Sequence, residues 1–260
     1  KLKSTFGGHL TFFGIGGAKL DSEVEAFLLK AGFPYAIGYG LTETSPLLSY
    51  AMKKGRTPGS IGYPVKGVRL KLHDVNPETG EGEIVAKGDN VMLGYYKDPQ
   101  RTKSVFTEDE WFRTNDLAIQ DEKGRFFIKG RKNNMILGPS GENIYPEEIE
   151  NVINNVEGVN ESIVVERNGR LVALVQLDEN MINWDEKRED KFYEQLDSFK
   201  ESLMKKVNKN VSKTSKINSV EVMKEPFEKT ATSKIRRFKY KDSAPTVEAD
   251  TEKADKNKSS

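Results

Sequence analysis

A chain of 260 residues and 29.3 kDa carries 41 Lys and Arg against 40 Asp and Glu, a formal charge of +1 and a pI near 7.9. That length suits one large domain or two ordinary ones, and the near-balance of charge gives no global basic field, so duplex nucleic acid is not an implied partner. With no cysteine and only His9 and His73 as histidines, disulfides, thiolate metal sites, a cysteine nucleophile and a histidine-rich metal centre are excluded.

Along the chain, Leu10 to Phe13 reads as a short strand entering the glycine loop Gly14-Ile-Gly-Gly-Ala18. Asp21 and Ser22 can cap a helix with Val24, Phe27 and Leu28 on one face, closed by Gly32 and Pro34. Tyr35 to Tyr39 is a second strand, ending in the polar cluster Gly40-Leu-Thr-Glu-Thr44. Strand, glycine loop, helix, strand is the grammar of an α/β layer. After Gly55 the texture changes to antiparallel β: Val68 to His73 alternates, Asn76 to Gly80 is a turn, and Glu83 to Ala86 returns. A third texture begins near Gly130-Arg131. Pro146 opens a helix with Ile149, Val152, Ile153 and Val156 on one stripe. Two strands follow, 162–165 and 171–175, turned by Asn168-Gly169. A long amphipathic helix carries Phe192, Leu196, Phe199 and Leu203, and Val220 and Val222 mark a last strand. No apolar run approaches the roughly 20 residues that span a bilayer. The expected organisation is residues 1–130 as an α/β segment followed by a β-rich subdomain, 131–240 as a small α+β domain, and 241–260 as a disordered tail with almost nothing to bury.

Four clusters can carry chemistry, and each has a plainer reading. Gly16-Gly-Ala18 lets a backbone approach a flat or phosphorylated ligand, or makes a tight turn. Tyr39 to Thr44 puts an aromatic, two hydroxyls and a carboxylate at a strand end, where α/β layers bind ligands and where one carboxylate is the common protein share of a Mg²⁺ shell. The plainer reading is a helix N-terminus capped by Thr42. Asp116, in Arg113-Thr-Asn-Asp116, can accept both hydroxyls of a ribose, or form an Asx turn. The cationic run 228–237 is a phosphate hook, an RNA-contacting patch or a solvated face. Nucleic-acid binding through Arg236, Arg237, Lys239 and Lys241 is disfavoured because only Phe238 and Tyr240 lie among them to stack on bases.

Order and company change these odds. Gly16-Gly-Ala18 is followed by Tyr39-Gly-Leu-Thr-Glu-Thr44, then Gly82-Glu-Ile-Val-Ala-Lys-Gly88 and Met92-Leu-Gly-Tyr-Tyr-Lys-Asp-Pro99 with Thr102. Next come Trp111-Phe-Arg-Thr-Asn-Asp116, Gly130-Arg131-Lys132, Ser140-Gly-Glu-Asn-Ile-Tyr-Pro-Glu-Glu-Ile-Glu150, and Lys229 to Arg237. The series closely resembles the C-terminal half of the adenylate-forming enzymes, specifically the AMP-dependent acyl-CoA synthetases, over residues 6–238. The resemblance implies a partial adenylate-forming fold and a two-step ligase. A carboxylic acid, expected to be a medium- or long-chain fatty acid, attacks the α-phosphorus of ATP to give acyl-AMP, and the thiol of CoA then displaces AMP. It implies that Gly16, Gly17, Ala18, Tyr39 and Gly40 hold the adenine side, Thr42 the phosphate, Glu43 the Mg²⁺, and Asp116 the ribose with Arg131 beside it. Lys234 matches the mobile lysine that bridges carboxylate and α-phosphate, and the loop around Gly141 lines the thiol's approach. The expected hinge is Asn133, between a large domain holding Glu43 and a small one holding Lys234.

Two departures stand out: Asn115 where Gly is typical before the aspartate, and Ser233 where Gly precedes the lysine. The family's Ser/Thr/Gly-rich phosphate loop and the aromatic wall of the acyl pocket are missing. The chain, which opens at Lys1 without an initiator Met or a leader, is therefore expected to be a fragment, inactive alone and partnered by the N-terminal half of the same enzyme. A cytoplasmic location is expected. The alternatives are loading of a carrier-protein phosphopantetheine, a non-catalytic adenylate-binding module, and a peripheral membrane contact through the helix from Phe192 to Val207.

Overall fold

The first strand begins later than its apolar run suggests. In the structure, a computed structural model that describes residues 2–52, 56–178, 189–231 and 234–241 (backbone alone over 189–192), a single-turn helix α1 (Leu2–Thr5) precedes β1 (Phe13–Ile15). Gly14 and Ile15 thus belong to the strand, and the glycine loop proper starts at Gly16. Asp21 does cap α2 (Ser22–Lys30): its carboxylate accepts the N–H groups of Glu23 and Val24, each at 2.9 Å. The apolar stripe of that helix is not its inward face. Val24 and Phe27 are exposed, while Glu25 is buried, accepting the Tyr35 hydroxyl at 3.1 Å and the Gly59 N–H at 2.8 Å.

Strand β2 (Tyr35–Gly40) pairs in parallel with β1, and β3 (Leu47–Ala51) and β4 (Ser60–Pro64) continue antiparallel. The second half of the sheet comprises β5 (Arg69–His73), β6 (Gly82–Lys87), β7 (Phe112–Gln120) and β8 (Phe126–Arg131), with the short helix α3 (Pro99–Ser104) before β7. Together they form one eight-stranded sheet in the order β1-β2-β3-β4-β8-β7-β6-β5. The halves meet where β4 pairs with β8 through Ser60↔Phe127 and Gly62↔Phe126 only, across an irregular register. An apolar cluster spans that seam: Tyr39, Leu48 and Ile61 from one side, Ile84, Ala86, Ala118 and Phe126 from the other. The turn after β5 is an Asx turn, with Asn76 Oδ1 accepting from Glu78 and Thr79.

The chain divides into two units, Lys1–Asn133 and Asn134–Ser260. In the second, a two-residue ladder joins β9 (Ile136–Leu137) to β10 (Asn143–Ile144) and leads into α4 (Pro146–Asn154). Pro146 is the first helical residue, where its missing N–H costs nothing. Strands β11 (Val159–Arg167) and β12 (Arg170–Leu177) form a hairpin whose corner residues Asn168 and Gly169 have φ of 53° and 73°, the two positive values that a tight two-residue turn requires. Helix α5 (Glu189–Asn210) crosses over to β13 (Ser219–Met223), which lies parallel to β12. One face of this sheet packs on Ile149, Ile153, Leu196, Leu203 and Val207. The α5 stripe is therefore the unit's core; Phe192 lies outside the described side chains. The other face is covered by Phe227, Ile235 and Tyr240. The expected tail falls, from residue 242, outside the described residues. No helix among them is long and apolar enough to cross a membrane.

Candidate active site

Two loops leave the C-terminal ends of the adjacent parallel strands β1 and β2, the position at which α/β layers bind ligands. The first is Gly16-Gly17-Ala18, exposed throughout. A Cβ on Gly16 would lie 3.2 Å from the Gly38 carbonyl oxygen, so this loop runs close against β2. The second runs from Gly40, where a Cβ would sit 1.7 Å from the Pro46 carbonyl oxygen; only glycine fits there. It enters a 3-10 turn, Thr42–Thr44, whose N-cap position is Leu41 rather than Thr42. The two hydroxyls have different fates. Thr44 is buried and bonds the Leu41 N–H and the Pro46 carbonyl, holding the turn closed, whereas Thr42 is exposed. Glu43 is half-buried; its Oε1 accepts the Tyr95 hydroxyl at 2.9 Å, and it forms no ion pair among the described residues.

Asp116 does not lie in a turn. It lies inside β7, 4% exposed, at a bulge where residues 113–117 span the pairing partners 83–85 of β6. Asn115 supplies the kink, with φ of 62°, a left-handed conformation that Gly and Asn both accept. The departure from glycine at this position is thus conformationally neutral. The kink turns the Asp116 carboxylate toward Tyr39, whose hydroxyl donates to Oδ2 at 2.7 Å, and toward Arg131, whose Nε meets Oδ1 at 2.8 Å. Burial, then the Asp116 charge, push the Tyr39 phenol well above its ordinary value, so it remains a donor. Tyr39, Asp116 and Arg131 are thereby brought together across the seam of the sheet.

In the second unit, Lys234 is exposed on the return arm of a tight hairpin. Thr230 pins its backbone, donating its N–H to the Lys234 carbonyl at 2.8 Å and accepting the Lys234 N–H on Oγ1 at 3.2 Å. Ser233 lies outside the described residues. Ile235, next along, packs onto the sheet. Apart from Lys234, the cations of the run are spent on ion pairs: Lys229 pairs with Glu161, Arg236 with Glu228, and Arg237 grips the buried Glu150 with both terminal nitrogens, while Lys239, just beyond the run, also pairs with Glu228. Gly141 is exposed at φ of 85° in the β9–β10 connection, which Glu142 closes by accepting the Gly138 N–H on its carbonyl at 2.8 Å and the Ser140 N–H on its carboxylate at 3.0 Å.

Residues 1–96 match the family model described as AMP-binding enzyme. The chain is 34% identical over 197 residues to a long chain acyl-CoA synthetase 7, peroxisomal, of Arabidopsis thaliana, covering 71% of this chain and 28% of that protein. It is 33% identical over 175 residues to a long-chain-fatty-acid–[acyl-carrier-protein] ligase, chloroplastic, of the same plant, covering 62% and 24%. The crystal structure of ATP-bound MatB from Rhodopseudomonas palustris superposes with a TM-score of 0.71 at 27% identity, over 90% of this chain and 46% of that one. The chain belongs to the adenylate-forming superfamily. It spans under a third of the curated relatives' length and just under half of the solved chain.

Within this adenylate-forming fold, local sequence reading passes over one buried group. Glu83, 2% exposed on β6, binds Arg113 at 2.7 Å and Lys132 at 3.1 Å, and accepts the Asn115 N–H at 3.2 Å. One carboxylate therefore holds both the bulge that presents Asp116 and the residue after Arg131. The Gly82-Glu83 motif was visible, but its partners lie 30 to 49 positions away. Burial pushes the Glu83 carboxyl upward most strongly, yet the bonds and charges of Arg113 and Lys132 outweigh it and hold the group below its ordinary 4.5. A depressed acid adds stability above its unfolded value and loses it as pH falls through the folded one. Thermal melts from about pH 6 to about pH 3 should therefore show the first unit losing stability below about 4.5, with a shallower loss in Glu83→Gln. Identical slopes in both proteins would remove Glu83 from this account.

Proposed function

We propose that the chain is the AMP-handling part of an ATP-dependent acid–thiol ligase that activates a fatty acid as acyl-AMP and passes the acyl group to CoA. The observation that carries this reading is the Asp116 carboxylate, kinked out of its strand and oriented by Tyr39 and Arg131, at the open end of the sheet where the Gly16 and Gly40 loops emerge. Asp116 would accept the ribose hydroxyls, Gly16 to Ala18 with Tyr39 and Gly40 would border the adenine, and exposed Thr42 would donate to a phosphate oxygen. Glu43 suits Mg²⁺: among the described residues no group of three acids or histidines forms a metal cage, and Mg²⁺ is ordinarily held by one or two carboxylates with phosphate and water oxygens. When bound, the ion would neutralise phosphate charge.

In the first step a carboxylate oxygen of the acid bonds to the α-phosphorus as the bond to pyrophosphate breaks. The Lys234 ammonium offsets the charge on the phosphoryl oxygens, a compact cation able to serve oxygens of two groups. In the second step the thiol sulfur bonds to the acyl carbon and AMP leaves; the Gly141 loop would line that approach. Calorimetric titration of AMP into the chain tests the reading. Binding is expected, about 10- to 100-fold weaker in Asp116→Asn, from the loss of charge-assisted bonds to the ribose. No binding by the wild-type chain would overturn it.

A long-chain acid is supported by the name of the peroxisomal relative, and a carrier-protein acceptor by that of the chloroplastic one. Offering CoA and a phosphopantetheinylated carrier protein in parallel to a ligase containing this chain separates the acceptors. A cytoplasmic location and partnership with the N-terminal half of the same enzyme belong to the same proposal.

A further inference from the structure

The segment from Asn90 to Thr102 is tied to the turn that bears Glu43 by three different residues. The Met92 N–H donates to the Glu43 carbonyl at 2.8 Å, and the Asn90 amide donates to the Thr44 and Leu47 carbonyls at 2.8 and 2.9 Å. The third tie is the Tyr95 hydroxyl on Glu43 Oε1. The tyrosine is itself secured. Its N–H donates to Thr102 Oγ1 at 2.9 Å, and the Arg101 guanidinium lies 4.1 Å from the centre of its ring. We infer that Tyr95 is a positioning residue for the Glu43 carboxylate, fixing one oxygen so that the other is presented to the cation of a metal–nucleotide complex.

The inference rests on the reading of Glu43 as a metal ligand. Its physical content is the choice of donor. A lysine or arginine in the place of Tyr95 would fix the carboxylate equally well but would neutralise it. A phenol restrains the same side-chain torsions and leaves the negative charge available to a divalent ion.

The test uses the full chain with Mn²⁺ as the spectroscopic substitute. The affinity for Mn²⁺·ATP is followed by the enhancement of water-proton relaxation when the complex binds the protein, and metal-free ATP and AMP are titrated by calorimetry. In Tyr95→Phe the gain in affinity conferred by Mn²⁺ should shrink about 3- to 10-fold, the value of one hydrogen bond, with AMP affinity unchanged. Glu43→Gln should abolish the gain. A Tyr95→Phe protein with the full gain overturns the inference while leaving the Glu43 reading intact. An equal loss of AMP and Mn²⁺·ATP affinity overturns it too, because a merely structural role would act on both. If the wild type shows no gain, or Glu43→Gln keeps it, the metal reading of Glu43 fails and the inference with it; AMP binding through Asp116 would still stand.

Discussion

Lys234→Ala in a ligase containing this chain should slow acyl-AMP formation by at least about 10²- to 10³-fold, the range seen when one preorganised partner of a developing charge is removed. The substitution leaves the folded arm alone. Both bonds between residue 234 and Thr230 that hold the hairpin closed involve the Lys234 main chain, and the side chain is exposed. The AMP affinity and the Tm should therefore remain at wild-type values while ATP–pyrophosphate exchange collapses. Lys234→Arg should recover little, because a planar fork does not replace a compact charge between oxygens of two groups. Exchange at the wild-type rate in Lys234→Ala would withdraw the role assigned to this residue.

Glu150→Ala should be the most damaging change to the second unit, by roughly 3–5 kcal/mol, the cost of leaving one member of a buried pair without the other. The Glu150 carboxylate takes both terminal nitrogens of Arg237 and the Val164 N–H, the latter at 2.6 Å. Alanine orphans all of them between α4 and β11. For a unit of this size the expected fall in Tm exceeds about 10 °C by calorimetry. A fall within about 2 °C would mean that water replaces the carboxylate and that the pair contributes little. Arg237 is three residues beyond Lys234, so the same pair fixes the foot of the arm that carries the lysine. Stability and placement of that arm are one property.

How far the sequence could lead is uneven for physical reasons. Elements whose signals are local are plain in it. Pro146 with the Ile149 and Ile153 stripe marks α4, and Asn168-Gly169 marks a corner because two successive positive φ values demand such residues. Elements defined by distant partners are not. Val24 and Phe27 look like a core stripe, yet Glu25 goes inward because Tyr35 and the Gly59 N–H await it there. Asp116 admits the reading of an Asx turn because a bulge breaks the alternation that would have announced β7. Strands β3 and β4 carried no pattern strong enough to be named. The candidate site divides the same way. Its residue types and order are legible, but the bond between Tyr39 and Asp116 joins positions 77 apart, and the Glu83 hub has no local signature.

The two-pair seam between β4 and β8 has a kinetic consequence. Tyr39 stands on one side of it and Asp116 on the other, so any opening of the seam must part their 2.7 Å hydrogen bond and the buried apolar cluster that spans it. Amide protons along the seam should exchange through such brief openings rather than through global denaturation. A nucleotide touching both residues would act as a clasp.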